Sequence, residues 1–385
     1  MKRKIAVFVL LAALCTAAVT EAFAATPEFG KTEEEWSRIR DNTLEFDEID
    51  ALINEYNPTV KSNAYDLREF KNKYGKTNEE ISEKYRDLAS ELEGGVDLDT
   101  DNPMYAMNAM SAVSNQVTAR QLEQQADNAV EDYEVNRLGY EQQEKQIAQQ
   151  AKQDMIAYYY NQLEARRAQL NVELLENQLK IKKSQTQAGT ATQVDVLKAT
   201  EELMNAQKAH TQAAASIVTA GKKLQVACGW KYDDTPVIAA LPAPDMAGIA
   251  AMNPDTDAQK AIENNYTLKM NQRKLSNARS DATRETLQTS INSNMQNIPL
   301  SVTTAYMTVT AARDAYDYAV SADKVQKQTL AQMRKKHETG DASDFELKAE
   351  EINAQISQIA IEQAKYSLLE AITLYNYAVG GLAGA

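Results

Sequence analysis

The sequence predicts an all-α protein built from long antiparallel helical hairpins of the coiled-coil kind. One observation is the composition: 385 residues include only 13 glycines and 8 prolines, whereas alanine, glutamine, glutamate and lysine, which favour helices, are abundant. The other is an internal duplication, in which each copy carries one glycine turn between two helical runs. Together these features indicate one elongated unit rather than two compact domains.

The first residues predict a secretory signal peptide. A basic stretch at residues 2–4 precedes an apolar run at 5–19, and Ala-Phe-Ala at 22–24 has the pattern of a cleavage site. The run is too short for a spanning helix, and lipidation at Cys15 lacks the small residue that should precede it. We therefore expect a signal peptide over residues 1–24 and an exported protein.

Composition also limits the function. The net charge of −14 repels nucleic acid and anionic lipid, so neither is an expected partner. The two histidines, His210 and His337, lie far apart, and no cysteine, histidine or carboxylate cluster has metal-ligand spacing. Cys228 is expected to pack as a small apolar residue. The protein is therefore not predicted to be an enzyme, and no catalytic residue, cofactor or metal is expected.

The duplication appears when each residue is paired with the one 151 positions later. Gly189 then falls on Gly340, and the surrounding positions agree: Thr192 with Ser343, Val194 with Phe345, Ala227 with Ala378, and Gly229 with Gly380. The prolines near residues 241–245 cannot continue a helix. We expect a first helical repeat at residues 25–241, a linker at 242–254 and a second repeat at 255–385.

The two copies differ in length. The extra material of the first copy falls at about residues 71–154, which predicts an inserted helical segment. Part of it is a short helix ending at 94–95. Residues 103–187 contain no further proline inside the run and one glycine, so an unbroken helix there would be about 85 residues long. Its apolar stripe is narrow and must pack along neighbouring helices to be stable.

Each glycine turn has the pattern of a hairpin tip. Gly189 and Gly340 suit the left-handed conformation that ends a helix. A capping box follows each glycine and can start the next helix: Thr192 with Asp195, and Ser343 with Glu346. The first tip is therefore expected near residue 189 and the second near residue 340.

These tips resemble a known family. The stretch AGTATQVDVLKATEELMNAQ, residues 188–207, is similar to the hairpin-tip signature of TolC-like outer-membrane efflux proteins. The endings LQVACG at 224–229 and YNYAVG at 375–380 resemble the family's Leu-x-x-x-x-Gly helix ends. NPTVKSN at 57–63 resembles the opening of each family repeat. The resemblance follows the chain in order over about residues 45–380.

The resemblance implies a homotrimer whose hairpins form a helical tunnel in the cell envelope, in the periplasm or outer membrane. It also implies that the tips meet a periplasmic adaptor and, through it, an inner-membrane pump. The residues expected at the docking site or aperture are Gly189, Thr192, Asp195, Gly340, Asp341, Ser343, Asp344 and Glu346. Helix capping is the competing role for Asp195 and Glu346.

The sequence departs from the family at the opposite end. Members insert a shared β-barrel there, with strands of about ten alternating residues, and we find no such segments. We expect a TolC-like helical half without a clear β-barrel, and at most a short turn or strand at 297–309, which is rich in β-branched residues.

Two functions remain open at the sequence level. One is an export or efflux duct of the TolC-like kind. The other is an exported coiled-coil scaffold or spacer that keeps the hairpins without transport activity. Nothing in the residues names an exported substrate or a particular pump.

Overall fold

The computed structural model describes residues 31–94, 101 and 103–384, and the described part is almost entirely helical. The predicted signal peptide at residues 1–24 lies outside it. In the first repeat the elements are α1 (Glu33–Arg40), β1 (Thr43–Leu44), a 3-10 turn (Phe46–Glu48), α2 (Ile49–Tyr56), α3 (Pro58–Tyr74), α4 (Asn78–Gly94), α5 (Tyr105–Asn128), α6 (Tyr133–Gln187) and α7 (Gln193–Ala227).

The second repeat follows a short parallel strand pair. Strand β2 (Val237–Ile238) pairs with β1. After it come α8 (Met246–Ala251), α9 (Pro254–Asn264), α10 (Tyr266–Asn277), α11 (Asp281–Glu338), α12 (Asp344–Tyr377) and a π-helical turn (Ala378–Leu382).

Four long helices form one layer. Helices α6 and α7 make the first antiparallel hairpin, and α11 and α12 make the second. The hairpins join where α12 packs against α6, with Leu170, Ile352 and Ile359 buried at the contact. The order across the layer is therefore α7, α6, α12, α11. The predicted all-α fold of long antiparallel hairpins is confirmed.

An asparagine in each repeat binds the chain at the end of the hairpins opposite the tips, where the larger apolar clusters lie. Asn57 caps α3, and its Nδ2 donates to the carbonyl of Ala227 at 2.7 Å. Asn265 caps α10 in the same way and donates to the carbonyl of Ala383 at 2.7 Å. The opening asparagine of each repeat thus holds the end of that repeat's last long helix. This shared role explains why the segment NPTVKSN at 57–63 resembles NYTLKMN at 265–271.

The long helix expected over residues 103–187 is interrupted. Helix α5 ends at Asn128, and the Asp132 carboxylate accepts the Val135 N–H at 3.0 Å to start α6. Helix α6 has 55 residues and α11 has 58, so they are equivalent parts of the two repeats. Between α3 and α6 the first repeat carries the α4–α5 hairpin with its connections, residues 75–132, and no helices take this place between α10 and α11.

The prediction of a short turn or strand at residues 297–309 is wrong, because this segment lies inside α11. Its β-branched residues Ile298, Val302 and Val309 are fully buried. Their spacings of four and seven residues place them on one face of a helix. Burial of that face overrides the intrinsic preference of these residues for strands.

Candidate docking site at the hairpin tips

The first tip has the predicted geometry. Gly189 has a φ of +75°, in the left-handed region. Thr192 Oγ1 accepts the Asp195 N–H at 3.2 Å, and Asp195 Oδ2 accepts the Thr192 N–H at 2.8 Å and its hydroxyl at 2.7 Å. These bonds hold the pKa of Asp195 below its usual value, the Thr192 backbone N–H having the largest effect. The predicted capping box is confirmed.

The second tip repeats this arrangement. Gly340 has a φ of +80°. Ser343 Oγ accepts the Glu346 N–H at 3.3 Å, and Glu346 Oε2 accepts the Ser343 N–H at 2.7 Å and its hydroxyl at 2.8 Å. The pKa of Glu346 is lowered, first by the bond from the Ser343 backbone N–H. One oxygen of each capping carboxylate is therefore engaged within its own tip.

Two further acidic residues of the second tip also have partners. Asp341 Oδ2 accepts the Thr339 hydroxyl at 2.6 Å. Asp344 Oδ1 lies 2.7 Å from His337 Nε2, although the Asp344 side chain remains 94% exposed. Sequence reasoning missed the role of His337, whose ring bridges the end of α11 and the start of α12. The seven-residue spacing across a turn was the available signal.

The two tips do not lie at the same height. Lys180 of α6 packs over the ring of Phe345 of α12, with 5.8 Å between Nζ and the ring centre. Lys180 is nine positions before Gly189, whereas Phe345 is five after Gly340. At about 1.5 Å per residue, the first tip projects roughly one helical turn beyond the second. The two tips therefore present a stepped surface.

A groove runs beside the first tip between α6 and α7. Its lining mixes both signs of charge with apolar atoms: Gln178, Ile181, Lys182, Asp195, Lys198, Ala199 and Glu202. Asp195 is the only predicted site residue in it. The other predicted residues of the first tip, Gly189 and Thr192, lie in the turn above.

Exposed apolar side chains are concentrated on the two outer helices of the layer. Across the four long helices, which the structure describes throughout, α6 exposes one large apolar side chain, Tyr160, and α12 exposes none. Helices α7 and α11 expose eleven between them: Val194, Leu197, Met204, Val218, Val226, Met295, Leu300, Met307, Tyr318, Val320 and Val325. The edges of the layer are thus apolar and the centre is not.

Other kinds of site find no support in the described part of the chain. Residues 31–94, 101 and 103–384 contain no group of three histidine, cysteine or carboxylate side chains placed to hold a metal ion. None of the helices described there is long and apolar enough to cross a membrane. The only described cysteine, Cys228, is 1% exposed, and burial raises its pKa to about 12.

Comparison with solved structures identifies the fold. The outer-membrane channel OprN matches with a TM-score of 0.52 at 13% identity, over 95% of both chains. CusC, a protein that forms a transmembrane channel, matches with a TM-score of 0.54 at 10% identity, over 94% of this chain and 97% of that one. The fold is that of the helical part of the TolC-like outer-membrane channels.

A membrane protein from Pseudomonas aeruginosa matches this fold as well, with a TM-score of 0.56 at 10% identity, over 87% of this chain and 93% of that one. Neither a family model nor a curated protein matches the sequence. The similarity to TolC-like channels therefore rests on architecture. The similar structures are channel proteins rather than enzymes.

Proposed function

We propose that this protein is a homotrimeric helical duct of a cell-envelope export system, located in the periplasm or outer membrane. Its hairpin tips would dock a periplasmic adaptor that connects the duct to an inner-membrane pump. The observation that supports this proposal most directly is the apolar character of the two edges of the helical layer, α7 and α11.

The distribution of exposed apolar residues favours side-by-side packing of copies. If these residues served the broad faces of the layer, α6 and α12 would carry them too, because they share those faces. Of the twelve exposed large apolar side chains on the four long helices, eleven instead lie on the edge helices. Because α7 and α11 are different surfaces, their contact is heterologous, and it repeats from copy to copy until a ring closes.

The number of copies determines whether the ring encloses a passage. Packed helices lie about 8–10 Å apart and are about 10 Å thick. Twelve long helices from three copies would enclose an opening roughly 25 Å wide. Eight helices from two copies would leave only about 14 Å by the same arithmetic. Three copies thus give a duct wide enough for export.

Two exposed edge residues are placed to meet between copies. Val218 lies about 37 Å from the start of α7 at the first tip, and Tyr318 lies about 30 Å from the end of α11 at the second. Since the first tip projects about one turn farther, the two residues lie at nearly the same height. Copies related by rotation about a common axis keep their heights, so Val218 of one copy would face Tyr318 of the next.

Oxidative crosslinking of the Val218→Cys/Tyr318→Cys double variant tests the ring. The native Cys228 is buried and does not compete. We expect a ladder of covalent dimers and trimers that stops at three chains. The matched control is Tyr160→Cys/Tyr318→Cys, which places the first cysteine at a similar height on the inner helix α6, and we expect no ladder from it.

Two results would contradict the duct. Failure of the Val218→Cys/Tyr318→Cys variant to crosslink between chains would mean that the edges do not pair. A ladder extending well beyond three chains would indicate an open filament. Either outcome would favour an exported structural scaffold with the same hairpins.

A further inference from the structure

The α4–α5 hairpin carries an apolar seam that nothing in the described chain covers. On α5, Ala106, Met110, Val113 and Val117 are spaced by four, three and four residues, as in the core positions of a coiled coil. We call these four residues the α5 seam. Met110 is 79% exposed, Val113 is 62% exposed and Val117 is 53% exposed.

The seam lies on the side of α5 that faces away from α4. The opposite side of α5 packs against α4, where Ala119 and Ala126 are buried. There, the Ser82 hydroxyl donates to the Ala126 carbonyl at 2.9 Å, and Asn115 Nδ2 donates to the Leu92 carbonyl at 3.1 Å. Helix α4 is therefore fixed on the inner side and cannot cover the seam.

The base of this hairpin is tied to the body of the protein. Asn78 Nδ2 donates to the Ala129 carbonyl at 2.7 Å. Arg279, just before α11, donates to the Ala126 carbonyl at 3.0 Å and to Asn78 Oδ1 at 3.3 Å. These bonds lie where α6 begins, at the end of the layer opposite the tips. Two hydrogen bonds from Arg279 thus tie the base of the hairpin to the second repeat.

The seam is uncharged, unlike most of this acidic chain. Residues 103–119 contain no charged side chain, whereas the outer side of α4 carries Glu79, Glu83, Asp87 and Glu91. Copies of a chain with a net charge of −14 repel one another over most of their surfaces. The seam is a surface where two copies can approach without that repulsion.

We propose that the α5 seam packs against the α5 seams of the other copies, forming a short parallel helical bundle around the oligomer axis at the end opposite the tips. The proposal rests on the proposed function for the number of copies. Residues at core spacing pack in this way when identical helices run in parallel. Such a bundle would narrow the duct at that end.

A lipid surface is the less favoured occupant. Helices that lie on membranes usually carry lysine and arginine on their polar face. The polar surface of this hairpin is predominantly acidic on α4, and Arg120 is the only basic residue of α5. An anionic membrane would therefore repel the hairpin, while a second seam would not.

Crosslinking through a single cysteine tests the seam. In Val113→Cys, equivalent positions would meet at the axis, so we expect a covalent dimer on oxidation. The matched control is Ser111→Cys, which is exposed on the same helix but lies to one side of the seam. We expect it to give no dimer. Adding Met110→Lys and Val117→Lys to Val113→Cys should reduce the dimer yield at least tenfold.

The outcomes separate this inference from the proposed function. The seam inference is overturned if Val113→Cys gives no dimer, or no more than Ser111→Cys, in protein whose native mass is three chains. Seam dimers in protein without Val218–Tyr318 crosslinks would support the seam and contradict the ring. Flotation with phosphatidylglycerol and phosphatidylethanolamine vesicles that is lost in Met110→Lys would assign the seam to lipid and overturn the proposal.

Discussion

Lys180 and Phe345 form a contact between the two repeats close to the hairpin tips, with 5.8 Å between the lysine Nζ and the ring centre. Phe345 is the counterpart of Val194 in the duplication, yet Val194 is 57% exposed. Equivalent positions therefore have different surroundings. Phe345 lies on the inner helix α12 and faces α6, whereas Val194 lies on the edge helix α7.

Phe345→Ala should lower the free energy of unfolding by about 1–2 kcal/mol, because it removes apolar burial and a cation–π contact. Val194→Ala, the matched change in the first repeat, removes no such contact within one chain and should alter the free energy of unfolding of the dissociated chain by less than about 0.5 kcal/mol. Denaturant unfolding at a protein concentration too low for the copies to associate measures both. Equal losses in the two variants would contradict the contact between Lys180 and Phe345.

Thr192→Ala should cost about 1 kcal/mol of stability, because it removes the hydroxyl that accepts the Asp195 N–H. Asp195→Asn removes the charge and keeps an acceptor for the cap. If the tip carboxylates contribute to docking or to the aperture, Asp195→Asn with Glu346→Gln should weaken adaptor capture and change the conductance. Unchanged capture and conductance beside a destabilised Thr192→Ala variant would leave these carboxylates as caps only.

The caps should also make stability depend on pH. The pKa values of Asp195 and Glu346 are lowered in the folded protein from ordinary values of 3.8 and 4.5. Their contribution is therefore complete above these ordinary values and is lost as the pH falls through the lowered ones. Thermal unfolding should show a steeper loss of stability below about pH 4.5 in the wild type than in Asp195→Asn/Glu346→Gln. Parallel curves would contradict this role.

Asp132 should be the most sensitive residue of the junction between α5 and α6. Its carboxylate is fully buried and caps α6. It also accepts hydrogen bonds from Arg273 Nε at 2.6 Å and from Asn277 Nδ2 at 2.9 Å. Asp132→Ala should cost about 2–3 kcal/mol, since the cap and the ion pair are lost together. Asp127→Ala, which breaks an exposed pair with Arg86, should cost less than about 1 kcal/mol. Similar losses in chemical unfolding would contradict the assignment.

Cys228 should be inert to thiol reagents in the folded protein. It is buried, and burial with the nearby charge of Glu48 raises its pKa to about 12, so almost no thiolate forms at pH 8. Labelling with an aromatic disulfide reagent at pH 8 should be at least a hundredfold slower than in denaturant. Rapid labelling of the native protein would show that the apolar cluster around Cys228 opens readily.

The hairpins were predictable because their signals are local. Gly189 and Gly340 need the left-handed conformation, and the capping boxes that follow them involve residues three positions apart. The start of α6 was not predictable in the same way. Asp132 caps that helix while its carboxylate accepts hydrogen bonds from Arg273 and Asn277. These two partners are distant in sequence, so no local pattern predicts them.

The end of the last long helix of each repeat shows the same limit. The sequence pairs Gly229 with Gly380, but the left-handed conformation that Gly229 adopts, with a φ of +94°, is adopted after the second long hairpin by Gly381, with a φ of +121°. The π-helical turn Ala378–Leu382 inserts one residue there and shifts the register. The difference in height between the two tips was also not predictable. It depends on the register in which α12 packs along α6, which neither repeat determines alone.

Sedimentation of the wild-type protein at micromolar concentration measures how many chains associate in the native assembly. Because the apolar edges α7 and α11 should pair between copies, we expect a single species with the mass of three chains. A folded, stable monomer with helical circular dichroism at the same concentration would contradict it.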